Sequence, residues 1–282
     1  MNKFFELGSR ILPDKIYLSL LYYKHFHKFP NLKNPQTFNE KLQWLKLYDR
    51  RPEYSIMVDK YAVKQYIEDM VGPEYVIPLL GVWDNAKDVD FESLPEQFVL
   101  KTNHDSKGVV ICKDKSKFDV EKAIVFLDKR LKNNGYWYGR EWPYKNVAAK
   151  IIAEPFLSEG IESECLTDYK FFCFDGIAKI MYISRDLSKQ ATTDFFDMDF
   201  NHLDIRMKDA PYPILPEKPT SFDEMKRVAE ILSKGIRHLR VDFYQIEGKP
   251  YVGELTFFHN SGFGNVSPES WSKKMGSWIN VK

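Results

Sequence analysis

The sequence predicts an α+β protein. Helical patterns dominate residues 13–70, and strand-like runs joined by short turns dominate residues 151–258. A short strand–loop–strand unit lies between them, and one long amphipathic stretch, 221–238, is placed to pack on the later sheet. Strands and helices do not alternate regularly, and neither GxGxxG nor a Walker A run occurs, so a doubly wound nucleotide-binding sheet is not expected.

The elements follow in order. Residues 13–50 read as two helices separated by Phe29-Pro30 and Asn34-Pro35, the second opened by Thr37 with Glu40 three residues on, a capping-box spacing. Residues 55–70 give one further amphipathic helix, stopped at Gly72-Pro73. Residues 75–82 are apolar and β-like, 98–101 form a strand, 102–108 a polar loop and 109–112 the returning strand. Residues 119–134 are helical by periodicity. Strands at 151–156 and 169–174 follow, and Asp175-Gly176 turns into 177–184. A Pro-rich loop, 211–219, precedes the helix at 221–238. These boundaries suggest a helical region 1–74, a small lobe 75–150 and a larger lobe 151–282.

The chain of 282 residues balances 41 basic against 40 acidic side chains, so no global field argues for nucleic acid. Cys112, Cys165 and Cys173 have no CxxC spacing and cannot pair evenly, which argues against a zinc site and for a reducing, cytoplasmic setting. No apolar run is long enough to span a bilayer, and the first twelve residues lack the pattern of a secretory signal. Residues 15–28 are aromatic and basic: either a packed N-terminal helix or one resting on an anionic membrane face.

The most informative stretch is 240–264, where two strand-like runs, 239–246 and 250–258, are joined by Glu247-Gly248-Lys249. Alternation sets Arg240 and Asp242 on one face of the first strand, and Glu254 and Thr256 on one face of the second. Paired carboxylates on rigid strands suit Mg²⁺, which shares its oxygen ligands with substrate phosphates, and an adjacent arginine suits an oxyanion. An exposed hairpin with ordinary surface charges would carry the same pattern. Weaker signals are Lys101, ending a buried strand before a loop whose backbone N–H groups would be free for phosphate, and Glu154, an acid at a strand end. Lys60 and Lys64, four apart, read equally well as a solvated helix face.

In their order these motifs resemble the ATP-grasp superfamily, and within it the TupA-like group associated with teichuronopeptide and surface-polysaccharide synthesis. The similar stretches run Pro35-Gln-Thr-Phe-Asn-Glu-Lys-Leu-Gln-Trp-Leu-Lys, Val58-Asp-Lys-Tyr-Ala-Val-Lys, Ile77-Pro-Leu-Leu-Gly-Val-Trp and Leu94-Pro-Glu-Gln-Phe-Val-Leu-Lys-Thr-Asn-His, then Asp168-Tyr-Lys-Phe-Phe-Cys-Phe-Asp-Gly and Gly253-Glu-Leu-Thr-Phe. The resemblance implies an ATP-grasp fold, with ATP held between a small α+β lobe and an antiparallel sheet lobe. It implies that Lys64 and Lys101 meet the nucleotide phosphates and that Ser106, Lys107 and Gly108 belong to a covering loop. Glu154 would be the adenine-side acid and Asp168 the ribose-side acid. Asp242, Glu254 and Thr256 would hold Mg²⁺, and Arg240 and Arg185 would act at the reacting groups. Two departures stand out: Thr256 where the ligases carry asparagine, and Asp105 and Lys107 where glycines belong.

The implied reaction joins a uronic acid carboxylate of a surface glycan or its precursor to an amino acid or other amine, through an acyl phosphate. Alternatives are a glycosyltransferase, suggested by Asp197-Met-Asp199, a phosphotransferase on the same fold, or a nucleotide-binding module without turnover.

Overall fold

The computed structural model describes residues 11–159, 166–187, 190–207 and 209–281. Four helices come first: α1 (Asp14–Phe26), α2 (Phe38–Tyr48), α3 (Glu53–Val58) and α4 (Ala62–Val71). The capping box at α2 forms as expected: Thr37 Oγ1 accepts from Glu40 N, and the Glu40 carboxylate accepts from Thr37 N at 3.1 Å. The single helix expected at 55–70 is broken at Asp59, whose carboxylate takes the N–H groups of Tyr61 and Ala62 and so starts α4 afresh.

A four-stranded sheet is built from β1 (Gly81–Trp83), β2 (Phe98–Thr102), β3 (Val109–Cys112) and β4 (Ile151–Pro155), in the order β1-β4-β2-β3. The inner strand β4 thus belongs to the smaller sheet, across the boundary at 150/151 read from the sequence. Helix α5 (Val120–Leu131) covers this sheet, burying Leu127 among Phe98, Leu100, Ile151 and Ala153. A short helix, α6 (Tyr136–Gly139), leads on towards β4.

The larger sheet has six antiparallel strands: β5 (Asp168–Phe174), β6 (Ile177–Leu187), β7 (Gln190–Asp197), β8 (His202–Leu203), β9 (His238–Ile246) and β10 (Lys249–Thr256). Their order is β10-β9-β5-β6-β7-β8. Helix α7 (Phe222–Leu232) packs on it through Phe222, Met225, Val228 and Leu232. This helix ends before the expected 238, because Gly235 adopts a left-handed φ of 76° and the chain enters β9 at His238. The last helix is α8 (Glu269–Ser277).

The main core joins this sheet to the N-terminal helices: Phe38, Leu42, Leu45, Tyr54 and Met57 are buried with Phe171, Phe172, Val241 and Leu255. Helices α2 to α4 of the region expected at 1–74 therefore share one hydrophobic core with the six-stranded sheet, whereas α1 packs in a smaller cluster with Phe263.

Candidate active site

The β9–β10 hairpin turns at Glu247 and Gly248, both at positive φ (51° and 79°), the pairing that matches strand twist. A bulge between Val252 and Glu254 then decides the chemistry. It brings Glu254 opposite Asp242 and Thr256 opposite Arg240. Gly253 is required there: a Cβ would stand 2.7 Å from the Tyr244 ring. Across the next strand Asp242 faces Lys170, so Glu254, Asp242 and Lys170 form one row over three strands.

Arg240 organises this face. Its Nε and Nη2 donate to the two oxygens of Asp242 at 2.6 and 2.7 Å, Nη2 also donates to Thr256 Oγ1 at 3.0 Å, and Nη1 reaches His259 Nδ1 at 2.6 Å. Lys170 Nζ joins Asp242 at 2.8 Å and Asp168 at 3.0 Å. Burial opposes ionisation of Asp242, but Arg240 and Lys170 outweigh it and hold the carboxyl below its ordinary range. Burial raises Asp168, only partly offset by Lys170. His259 is held neutral by burial and by Arg240, in keeping with an Nδ1 that accepts. Burial, then Glu254 and Glu141, push the Tyr144 phenol up.

On the smaller sheet Glu154 sits between two lysines. Its Oε1 takes Lys64 Nζ at 2.5 Å and its Oε2 takes Lys101 Nζ at 2.6 Å, while Lys64 also donates to Ile77 O. Burial disfavours the carboxylate, yet the two lysines win and its pKa falls. Burial also lowers Lys64, by more than Glu154 restores, and Lys101 beside it adds a smaller push in the same direction. Lys60 links the two sheets: its Nζ donates to Asp105 O at 2.8 Å and lies 3.6 Å from Glu254 Oε1. Its position is set by Asp59 and Asn103, since Asn103 Nδ2 donates to Asp59 and Asn103 O accepts from Lys60 N.

The loop 102–108 departs from expectation. Its N–H groups at Lys107 and Gly108 are not free; both donate to Asp105 Oδ1, at 3.0 and 2.6 Å, and Asp105 Oδ2 lies 2.5 Å from Arg130. The aspartate that departs from a glycine-rich pattern is therefore the loop's organiser. Gly108 has a steric reason, because a Cβ would fall 1.7 Å from Thr102 Oγ1. Ser106 and Lys107 are exposed at the tip.

Other assignments also change. Arg185 lies on the opposite face of the large sheet from Arg240: Ser184 pairs with Asp168 and Tyr182 with Lys170, so alternation turns Arg185 away. It lines a pocket of about 300 Å³ with Tyr169, Ile183 and Gln245, donates to Ile214 O and lies 3.4 Å from Asp194. It is not part of this site. Thr256 spends its hydroxyl on Arg240, which accounts for a threonine where a third metal ligand was expected. Glu154, expected at the adenine, pairs with the two lysines instead. Asp197 spends its carboxylate on the N–H groups of Asp199 and Asn201 in its own turn, and Asp199 is exposed. Sequence reasoning missed Lys170 and Lys60. Strand alternation could have found Lys170, two residues after Asp168; nothing local marks Lys60 out from Lys64.

No group of three or more His, Cys, Asp and Glu poised for a metal exists among the described residues. Mg²⁺ needs fewer protein ligands, one or two carboxylates beside substrate phosphates. Glu254, at 27% side-chain exposure, fits that demand; its register partner Asp242 is 3% exposed with both oxygens held by Arg240 and Lys170, and would join it by sharing or exchanging one of those contacts.

A family model described as TupA-like ATP-grasp matches residues 40–280. The chain belongs to the TupA-like ATP-grasp family. No protein of curated function matches it. Among solved structures it is similar to D-alanine–D-alanine ligase from Bacillus anthracis, at 19% identity and a TM-score of 0.44 over 72% of this chain and 57% of that one. It is also similar to the D-alanine–D-alanine ligase from Helicobacter pylori, at 15% identity and a TM-score of 0.43 over 86% of this chain and 69% of that one. A third is an ADP complex of N5-carboxyaminoimidazole ribonucleotide synthetase, at 15% identity and a TM-score of 0.48 over 79% of this chain and 52% of that one. The chain spans a little over half the length of the first of these relatives. Membership makes the two-sheet arrangement an ATP-grasp fold.

Proposed function

We propose that this TupA-like protein is an ATP-dependent carboxylate–amine ligase. The observation that carries the reading is the approach of a lysine pair to a carboxylate-bearing hairpin. Lys64 and Lys101 on the small-sheet side and the Arg240–Asp242–Glu254 hairpin on the large sheet are brought together through Lys60. The lysines would offset charge on the ATP phosphates, and Asp242 and Glu254 would hold Mg²⁺, which neutralises charge developing on those phosphates when bound. A carboxylate oxygen of the first substrate attacks the γ-phosphorus and ADP leaves. The amine then attacks the acyl carbon, phosphate departs with its bonding electrons, and the amine loses a proton. Arg240, fixed by Asp242, Thr256 and His259, is placed to hold the developing oxyanion.

The substrate reading is finer: a uronic acid of a surface glycan or its precursor, amidated by an amino acid or another amine, in keeping with the family's association with polysaccharide synthesis. A hydroxyl acceptor would turn the same site into a phosphotransferase.

Calorimetry of ATP with and without Mg²⁺, on wild type, Asp242→Asn and Glu254→Gln, tests the nucleotide site. Mg²⁺-dependent binding weakened by both substitutions supports it, and screening uronic acids with amines for ADP release then tests the ligase. Absence of binding at millimolar ATP overturns the reading. ADP release with a hydroxyl acceptor and none with any amine would favour the kinase.

A further inference from the structure

We propose that the outward face of α1 docks flat on an anionic membrane surface. The helix buries Tyr17, Leu18, Leu21 and Tyr22 against Phe263 and its neighbours. Diametrically opposite, Ile16, Leu20 and Tyr23 are 50%, 46% and 47% exposed. At about 100° per residue these three fall within about 60° of arc. Beyond its C-terminal end the stripe continues into Phe29, 61% exposed, whose ring stacks on Tyr23 at 4.9 Å between centroids. A single exposed apolar side chain needs no explanation; an aligned, contiguous row does.

Charge selects the occupant. Residues 11–34 carry Lys15, Lys24, Lys28 and Lys33 with one acid, Asp14. That acid is engaged by Arg50 at 2.6 Å and Arg140 at 2.9 Å, so it does not answer the lysines. Lys15 and Lys24 flank the stripe on either side of the helix, and Lys28 follows its end; all three are exposed. An exposed apolar row bordered by lysines suits the headgroup region, where lysines meet anionic phosphates and the apolar row enters the acyl boundary. With 13 residues α1 is too short to cross a bilayer, and its exposed row runs lengthwise, which suits an in-plane contact.

The test is flotation of the full chain with vesicles of phosphatidylcholine alone or mixed with phosphatidylglycerol, at low and high salt. Wild type should float with the anionic vesicles only, less so at high salt. Removing each lysine should lower partitioning about fivefold, so Lys15→Glu/Lys28→Glu should lower it by about 25-fold or more. Leu20→Glu should abolish flotation while leaving Tm and ATP binding unchanged. Failure of wild type to float, or variants that float equally well, overturns the proposal. A concentration-dependent dimer in light scattering that Leu20→Glu abolishes, with no flotation, would assign the stripe to a second copy of the chain and overturn it too.

Discussion

Replacing Glu154 by glutamine removes the carboxylate that balances Lys64 and Lys101 without changing the volume of the site. The carboxylate is 6% exposed, and the lysines that it holds at 2.5 and 2.6 Å are 13% and 19% exposed. Breaking a buried ion pair by removing one partner costs about 3–5 kcal/mol, since the other charge stays buried and unpaired. Some access of both ammonium groups to water places this case at the lower end, about 3 kcal/mol. At about 2–4 °C per kcal/mol for a protein of this size class, Tm should fall by about 6–12 °C. Lys64→Met in the same background removes one of the stranded cations, so the double variant should be no less stable than Glu154→Gln alone. The coupling from the full cycle should exceed about 1.5 kcal/mol. Tripolyphosphate, a counter-anion for both lysines, should raise the Tm of Glu154→Gln more than that of wild type. Thermal denaturation of the four proteins of the cycle, with and without tripolyphosphate, measures all of this. A Glu154→Gln protein within about 2 °C of wild type, or losses that simply add, would refute the reasoning.

Three further outcomes follow from the same geometry. Arg240→Lys keeps the charge but not the guanidinium fork that serves Asp242, Thr256 and His259 together, and should cost about 2–4 kcal/mol in urea denaturation; a loss under about 1 kcal/mol would contradict the assigned bonding. Gly108→Ala should cost about 1–3 kcal/mol through its collision with Thr102 Oγ1, and Thr102→Ala should recover part of that loss; no recovery would place the strain elsewhere. Lys46 is fully buried, donates to Ser261 O at 2.6 Å, and is lowered by burial to about 7. Above about pH 7 the unfolded chain keeps a proton on this lysine that the folded protein has lost, so stability rises with pH there, by at most about 1.4 kcal/mol per unit. The rise levels off once the ordinary lysine range is passed. Lys46→Met should abolish that gain, and a stability difference between the two proteins that does not change from about pH 7 to about pH 9 would refute it.

Local signals carried much of the architecture. The Thr37/Glu40 box, the Glu247-Gly248 and Asp175-Gly176 turns and the strands at 98–101 and 109–112 follow from neighbours a few residues apart, and the structure forms each of them. So does the gathering of Arg240 and Asp242 on one face, because alternation along a strand needs no tertiary information.

What the sequence determined by itself was therefore the family order of motifs and the residue types available to one hairpin. Which of them meet was left to packing. Glu254 lies opposite Asp242 because of a bulge at Gly253, and a bulge changes register without changing composition. Arg185 falls on the far face because its strand's register with β5 is fixed by pairing across the sheet. Glu154 finds two lysines that lie 90 and 53 residues away, and Lys60 finds Glu254 only once two sheets are packed. Charge neutralisation of buried groups acts through space, and proximity in space is set by packing rather than by spacing along the chain.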